Sequence, residues 1–508
     1  MEKPAIREEI SGGIFLQYVK SFVGVLSGFV FYLFIIHFYS SVLVGIVALL
    51  LAVANLMNML FSLGLGAGLQ HFISYHLGRD EYGGVREMVV KFLLIGFSLA
   101  MLSLLVMYST SGIFAMLFFH SPVYVPLLRY LSIYLMFTVL GSFLGGIMIG
   151  LQNFRSEARW RIGGILVSYS VALLLLFLFN NSISIVTGWI AGSVFSAVAF
   201  LLIIISRMRN IRVDVGGGVE IAPVFRYSFP IFLASLVGIG STYVDRFVVS
   251  YLLNLSLLGI YNFALLISSA VGVIIGPFAT ILLPKLSEMY GRGEREEMKN
   301  YVAKGIELLS TIFVPVAMLI AALSSSIILF LSSSAYLPAS VPVIIVLVVS
   351  SMFVSVNILA TSLQAVRRTR IFIVSSSLAL ISNFVLSILL IPRFQMIGAS
   401  IGYSSITVVS FLVTYYYAKK YDVLRFELTK LAKIYTAGFV MFSIIFALQM
   451  VFLYSPLKLF AYILLGFAIY SGVIKAMRTF SREDIDFVML LIPLWLQRIR
   501  ALISLLFL

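Results

Sequence analysis

The sequence predicts an all-α, polytopic membrane protein with about fourteen transmembrane helices, arranged as two parallel six-helix repeats and a C-terminal helix pair. Of its 508 residues, 61% are hydrophobic and 11% are charged, a balance that water-soluble domains do not have. Apolar runs of about 20 residues or more recur along the chain, and a helix needs this length to cross a bilayer. Strands of a β-barrel would be shorter and strictly alternating, so the pattern indicates helices.

The predicted spans are apolar runs bounded by charged residues or by Gly and Pro. Several exceed the minimum length, which we interpret as tilt or as extension beyond the bilayer. Charged residues precede the first run, and that run is too long for a signal peptide, so we expect it to be retained as a helix. The approximate ranges are 14–38, 41–72, 88–118, 124–151, 160–180, 183–206, 228–253, 257–284, 305–331, 338–364, 371–391, 396–418, 433–454 and 457–477.

Basic residues are concentrated in alternate connections between the spans. With the N-terminus in the cytoplasm, 30 of the 35 Lys and Arg residues lie in cytoplasmic segments, whereas Arg129, Arg393 and Lys458 lie on the opposite side. Because Lys and Arg favour cytoplasmic loops, we predict a cytoplasmic-membrane protein with both termini in the cytoplasm. Topology and contact with anionic membrane lipids account for the net charge of +15, so no nucleic-acid partner is expected.

Acidic residues show the same asymmetry. Nineteen of the 20 lie in predicted cytoplasmic segments or at the cytoplasmic edge of a span, and the loops on the opposite side are short and carry none. An outward-facing catalytic domain is therefore not expected, and we predict that the protein is not an enzyme. Cys is absent and the four His residues lack i, i+4 spacing, so no metal site is expected.

An internal repeat runs through most of the chain. Four short motifs recur in the same order at a shift of 210 to 214 residues, which is hard to obtain by chance in apolar sequence. The matched motifs are Val44-Gly45-Ile46 with Leu258-Gly259-Ile260, Leu77-Gly78-Arg79 with Tyr290-Gly291-Arg292, Leu151-Gln152 with Leu363-Gln364, and Gly188 and Gly192 with Gly398 and Gly402. The sequence therefore predicts a duplication.

Each repeat contains six predicted spans, and six is even, so both halves enter the membrane in the same orientation. Transporters use such parallel repeats, with the substrate site between them. We predict a first lobe over residues 1–215, a second lobe over 216–430, and a further helix pair with a cytoplasmic tail over 431–508. The segment Gly216-Gly217-Gly218 is predicted to be a flexible linker between the lobes.

The chain resembles the polysaccharide and lipid-linked oligosaccharide flippases of the multidrug/oligosaccharidyl-lipid/polysaccharide exporter superfamily over essentially its whole length. The motifs that carry the resemblance are Leu63-Gly64-Leu65-Gly66, Tyr75 with Leu77-Gly78-Arg79, Asp245-Arg246-Phe247, Leu258-Gly259-Ile260-Tyr261-Asn262 and Pro284-Lys285-Leu286-Ser287-Glu288. It implies two six-helix lobes in a V shape around a central cavity, plus two extra helices. It also implies a monomer that flips an isoprenoid-linked saccharide outward by alternating access.

A multidrug or metabolite cation antiporter of the same fold is the alternative function. Drug-exporting relatives commonly place an acid in the first span, whereas this chain has Lys20 and no acid there. The predicted intramembrane charge, Lys20 plus Arg246 minus Asp245, is net positive and favours an anionic substrate. A non-transporting accessory role is a third alternative, and it leaves Asp245 unexplained.

Four residues are candidates for the substrate cavity. Lys20 and Arg246 lie inside predicted spans, where a cation would neutralise a lipid pyrophosphate. Lys20 could instead reach the cytoplasmic headgroups, and Arg246 could pair with Asp245. Asn55 and Asn58 share one helix face because they are three residues apart, and they either line the cavity or form hydrogen bonds between helices.

Asp245 is the one acidic residue deep inside a predicted span, since Glu307 lies at the start of its span. A charge at the bilayer centre costs roughly 2.5 to 3.5 kcal/mol, so a functional role is favoured over chance. Some related peptidoglycan-precursor flippases bind a cation between a seventh-span Asp and spans eleven and twelve, which implies Asn383 and Ser387 as partners. We expect weak Na⁺ binding or protonation by H⁺ and no other cofactor. The alternative is a structural pair with Arg246.

Overall fold

The computed structural model describes residues 3–209, 220–451 and 455–479, and these ranges contain helices and no strand. The predicted linker Gly216-Gly217-Gly218 and most of the predicted tail lie outside them. The chain divides into two compact units, of which the first ends at Gly259 and the second begins at Ile260.

The first unit contains eight helices and the start of a ninth among the described residues. Short connections separate these helices, and one of the connections contains a 3-10 turn at Pro122–Tyr124. The helices are α1 Lys3–Phe38, α2 Ser41–Ser62, α3 Leu65–Gly78, α4 Tyr82–Phe118, α5 Val125–Gly150, α6 Phe154–Phe179, α7 Ser182–Arg209, α8 Ala222–Leu252 and α9 Leu255–Ala270, of which α9 continues into the second unit.

The second predicted span, 41–72, is divided between α2 and α3. Leu63 and Gly64 at the division both have left-handed backbones, with φ values of 50° and 65°. Gly suits this conformation, and a Cβ on Gly64 would also lie 3.1 Å from the backbone nitrogen of Phe232. Two consecutive left-handed residues end α2, so α3 starts as a separate helix.

The core of the first unit is formed by apolar faces of α3, α4, α5 and α7. Phe92, Phe143 and Phe200 are fully buried there. Beside this core, α6 and α7 cross closely, since a Cβ on Gly192 would lie 2.2 Å from the carbonyl oxygen of Gly164. Small residues at such crossings allow backbones to touch, which is how helices associate in lipid.

The second unit contains the rest of α9 and eight further helices among the described residues. The predicted spans 257–284, 305–331 and 338–364 are each divided between two helices. Short 3-10 segments lie at Val271–Ile274 and Ser334–Ala339. The helices are α10 Ile275–Arg292, α11 Arg295–Ala322, α12 Ser324–Leu331, α13 Ser340–Met352, α14 Val356–Ala365, α15 Arg370–Lys420, α16 Leu428–Val451 and α17 Pro456–Ala476.

Helix α15 covers two predicted spans, 371–391 and 396–418. Gln395 has a non-helical backbone, with φ 49° and ψ −125°, and follows Pro392, whose ring disrupts helical hydrogen bonding. A Cβ on Gly398 would lie 2.5 Å from the carbonyl carbon of Leu390, and one on Gly402 would lie 2.4 Å from Ser387 Oγ. The element is therefore a helical hairpin whose two arms are the two predicted spans.

The predicted C-terminal helix pair is present as α16 and α17, which pack against α11. The Tyr470 hydroxyl of α17 donates to the Thr311 carbonyl oxygen at 3.2 Å. Gly438 of α16 faces Val314, and a Cβ there would lie 2.6 Å from the valine side chain. The C-terminal helix pair is thus held against α11 by a buried hydrogen bond and by close helix contact.

Thirteen helices in the described residues are long and apolar enough to cross a membrane. Helix α15 counts once among them, although its arms correspond to two predicted spans. The protein is therefore an all-α, multi-pass membrane protein, as the sequence predicted. The cytoplasmic placement of the termini and the lobe boundaries at residues 215 and 430 stay predictions.

Candidate functional site

Asp245 lies in α8 and is fully buried. Nη1 of the neighbouring Arg246 lies 3.9 Å from Asp245 Oδ1, which is ion-pair distance but beyond a hydrogen bond. The same nitrogen donates to the Thr242 carbonyl oxygen, and the guanidinium lies 4.8 Å above the Tyr243 ring. These contacts within α8 orient Arg246 and place its positive charge beside the buried carboxylate.

Tyr243 joins this pair to α2. Asn55 Nδ2 donates to the Tyr243 hydroxyl at 3.3 Å, so Asn55 and Arg246 contact the same tyrosine. Asn58, one turn further along α2, accepts a hydrogen bond from Ser142 Oγ of α5 at 3.2 Å. The structure therefore brings Asn55, but not Asn58, to the Asp245 region, and each asparagine bonds to another helix.

Lys20 lies in α1 and contacts Glu157 of α6. Its Nζ is 3.0 Å from Glu157 Oε2, to which Gln17 Nε2 also donates at 2.9 Å. Arg161 Nε, one turn along α6, lies 3.2 Å from the other carboxylate oxygen. The Glu157 side chain is 3% exposed and that of Lys20 is 22% exposed. A buried carboxylate is thus held by three donors from two helices.

Glu157 is a residue that the sequence analysis missed. Because the predicted span began at residue 160, Glu157 was assigned to a cytoplasmic loop, but α6 begins at Phe154 and buries it. Its spacing from Arg161 was a usable signal, since residues four apart share a helix face. Two cations and one carboxylate leave the Lys20–Glu157–Arg161 cluster with one net positive charge.

Asn383 and Ser387 lie in the first arm of α15, and both are fully buried. Ser387 Oγ donates to Asn383 Oδ1 at 3.1 Å. Gly402 of the second arm lies against both side chains, since a Cβ there would be 3.1 Å from Asn383 Oδ1. The structure therefore brings these two predicted partners together at the contact between the arms of α15.

The structure places Asp245 in the first unit and Asn383 with Ser387 in the second. The predicted coupling set of all three residues accordingly stays a prediction. Across the described ranges, no group of three or more His, Asp or Glu residues is placed to hold a metal ion. The residues present offer carboxylate, amide and hydroxyl oxygens, which suit a proton or a hard cation.

An all-α, multi-pass chain with charge pairs buried inside its spans is typical of membrane transporters. The chain belongs to the polysaccharide biosynthesis protein family, whose family model matches residues 43–342. The family-level resemblance predicted from the sequence motifs is therefore confirmed.

Relatives agree with this assignment. The chain is 21% identical over 252 residues to the probable low-salt glycan biosynthesis flippase Agl15 of Haloferax volcanii. That match covers 49% of this chain and 53% of the relative, so the chain spans about half the length of its curated relative.

Solved structures share the fold. The lipid II flippase MurJ in an inward closed conformation has a TM-score of 0.71 at 18% identity, covering 91% of this chain and 97% of MurJ. A multidrug resistance MATE family transporter of the MOP superfamily, in an inward-facing conformation, has a TM-score of 0.64 at 12% identity, covering 78% of this chain and 94% of the transporter. At these identities both show the fold alone.

Proposed function

We propose that the protein flips a lipid-linked oligosaccharide from the cytoplasmic to the outer leaflet of the cytoplasmic membrane. The isoprenoid tail stays in lipid while the saccharide and its pyrophosphate pass through a hydrated path by alternating access of two lobes. Membership of a polysaccharide biosynthesis family and similarity to a glycan biosynthesis flippase support this substrate class.

The observation that carries the proposal is the Lys20–Glu157–Arg161 cluster. Placing a charged lysine side chain inside a span costs free energy, and here the buried Glu157 carboxylate holds Lys20 in place. Glu157 offsets one of the two cations, so one positive charge remains for a diphosphate. Arg246 adds a further cation, which Asp245 offsets while its carboxyl is ionised, and contacts with Thr242 and Tyr243 hold the Arg246 orientation. A cationic path suits pyrophosphate better than a cationic drug.

Coupling to an ion gradient is the second part of the proposal. Asp245 is fully buried in a spanning helix, and a carboxylate in that position is stable either beside a cation or in its protonated form. Both states respond to a gradient of Na⁺ or H⁺. Asn383 and Ser387 remain the proposed further oxygen ligands of the coupling set.

A deletion strain tests the substrate class. We expect lipid-linked glycan to accumulate in the cytoplasmic leaflet, where an impermeant glycosidase added outside intact cells cannot reach it. Expression of the intact chain should restore access to the enzyme. Purified protein in liposomes should also translocate the lipid-linked glycan extracted from that strain.

The same deletion strain tests the alternative function, a cation antiporter of the same fold. If the protein is an antiporter, the strain should become more sensitive to cationic drugs while its glycan export stays normal. That result would replace the flippase proposal, because a buried acid such as Asp245 also suits cation exchange.

A further inference from the structure

A polar cavity of about 250 Å³ lies in the second unit, where the ends of α10, α11, α14 and α15 meet. Its floor contains Met298, Val366 and Val423, which are buried. Its rim contains the exposed side chains of Arg295, Arg368 and Lys420. The cavity thus combines an apolar floor with three basic side chains, which come from the start of α11, the connection between α14 and α15, and the end of α15.

Within residues 3–209, 220–451 and 455–479, no acid pairs with any of these three cations. In the part of the chain that the structure describes, no carboxylate oxygen lies within 4.0 Å of a charged nitrogen of Arg295, Arg368 or Lys420. Asp422, the one acid in the cavity wall, is already occupied, because Lys299 Nζ lies 3.1 and 3.0 Å from its two oxygens. The cavity therefore has an excess of positive charge that is open to an external anion.

Aromatic residues line the cavity, as is typical of helix ends that pass through the lipid headgroup layer. Tyr290 and Tyr421 line it, and the Arg368 guanidinium lies 4.5 Å above the Tyr421 ring. Tyr421 stacks on Tyr417 of α15 with ring centroids 6.3 Å apart. Tyr is enriched where spanning helices pass through the headgroup layer. The residues that line the cavity also belong to connections predicted to be cytoplasmic, where anionic lipids attract basic pockets.

The size of the cavity limits the ligand. Drug-sized molecules occupy pockets of about 300 Å³ or more, whereas this cavity holds a phosphate group with its attached glycerol or a similar fragment. A phosphodiester gives Arg368 two oxygens for a forked hydrogen bond and leaves Lys420 and Arg295 to balance the remaining charge. The apolar floor suits the first carbons next to the phosphate.

We propose that this cavity binds the phosphate-bearing headgroup of an anionic membrane lipid, separately from any transported substrate. The bound headgroup holds the ends of α11 and α15 together through Arg295, Arg368 and Lys420. This proposal does not depend on the transport function, since the cavity lies wholly in the second unit.

The test is native mass spectrometry of the purified full chain titrated with phosphatidylglycerol or phosphatidylcholine. The cavity variant is Arg368→Gln with Lys420→Gln. The control is Arg367→Gln with Lys419→Gln, which removes the same charge from the adjacent, exposed residues that do not line the cavity. We expect a retained phosphatidylglycerol adduct in the native chain and the control, and roughly tenfold less of it in the cavity variant. Phosphatidylcholine should not be retained.

Thermal melting supplies a second readout for folded protein in detergent. Phosphatidylglycerol should raise the melting temperature of the native chain and the control but not of the cavity variant. Equal adduct loss in both variants, or no loss in the cavity variant, would overturn the proposal. The lipid assignment would also be wrong if inorganic phosphate alone gave the same stabilisation, since the site would then bind a soluble phosphate.

Discussion

Gly45 of α2 and Gly259 of α9 face each other across a helix crossing. A Cβ on Gly45 would lie 1.9 Å from the Leu255 carbonyl oxygen, and one on Gly259 would lie 1.9 Å from the Ser41 carbonyl oxygen. The hydroxyls of Ser41 and Ser256 are 2.7 Å apart at the same crossing. Both glycines are landmarks of the predicted repeat, so the two equivalent positions contact each other through their backbones.

Alanine at either glycine should separate these helices. We expect Gly45→Ala and Gly259→Ala each to destabilise the protein by about 1 to 3 kcal/mol, because the added methyl overlaps a backbone carbonyl that cannot move alone. The measurement is thermal unfolding in detergent. Gly238→Ala is the control, since a Cβ there meets nothing within 4 Å. Unchanged melting of both variants would show that the crossing is not tightly packed.

Glu157→Gln should destabilise the contact between α1 and α6. It removes the charge that Lys20 and Arg161 share, and breaking such a pair costs about 3 to 5 kcal/mol when fully buried. Because Lys20 is 22% exposed, we expect roughly 2 kcal/mol, measured as a lower melting temperature. Adding Lys20→Gln should restore part of this loss. Glu87→Gln breaks a pair with Lys91 in which each side chain is 35% exposed, and should cost less than about 1 kcal/mol.

The cationic path is tested by Lys20→Gln combined with Arg246→Gln. We expect glycan export to fall at least roughly tenfold, because a lost charge–phosphate contact contributes more than about 1.4 kcal/mol in a low-dielectric path. Export is compared at equal amounts of folded, inserted protein, because Lys20→Gln also removes one of the two cations that pair with Glu157. Lys285→Gln with Arg292→Gln is the charge-matched control, since both side chains are exposed and lie beside Glu288. Full export by the test variant would contradict the cationic-path hypothesis.

Asp245→Asn tests ion coupling at nearly constant side-chain shape. We expect loss of gradient-dependent export with nearly normal melting, because Arg246 keeps its contacts with Thr242 and Tyr243 when the carboxylate charge is removed. Export should be measured in vesicles with imposed Na⁺ or H⁺ gradients. A destabilised protein whose surviving fraction still responds to the gradient would instead assign a structural role to Asp245.

The predicted topology is measurable because the chain has no Cys of its own. A Cys introduced at Arg292, an exposed residue at the end of α10, should react with an impermeant thiol reagent in broken cells. In intact cells it should be protected, because the charge asymmetry places this connection in the cytoplasm. A Cys at Val123, exposed before α5, should show the opposite pattern. Labelling of the Cys at position 292 in intact cells would show that the predicted orientation of the protein in the membrane is wrong.

The sequence by itself was sufficient for the fold class. Apolar run length is a direct requirement of the bilayer, so the spans could be located from hydropathy, and the kinked α15 contains the two spans predicted there. Motif resemblance was sufficient for the family. Hydropathy did not reveal the division at Leu63 and Gly64, because apolar residues on both sides of a left-handed turn have the same composition.

The tertiary structure decided which polar residues meet. Lys20 and Glu157 are far apart in the chain, and only the packing of α1 on α6 brings Nζ to 3.0 Å from the carboxylate. In the same way, Asn55 reaches Tyr243 because α2 lies beside α8. Intramembrane charge can be counted from the sequence, but its pairing depends on which helix faces touch, and in lipid that is set by close packing of small residues rather than by hydrophobicity.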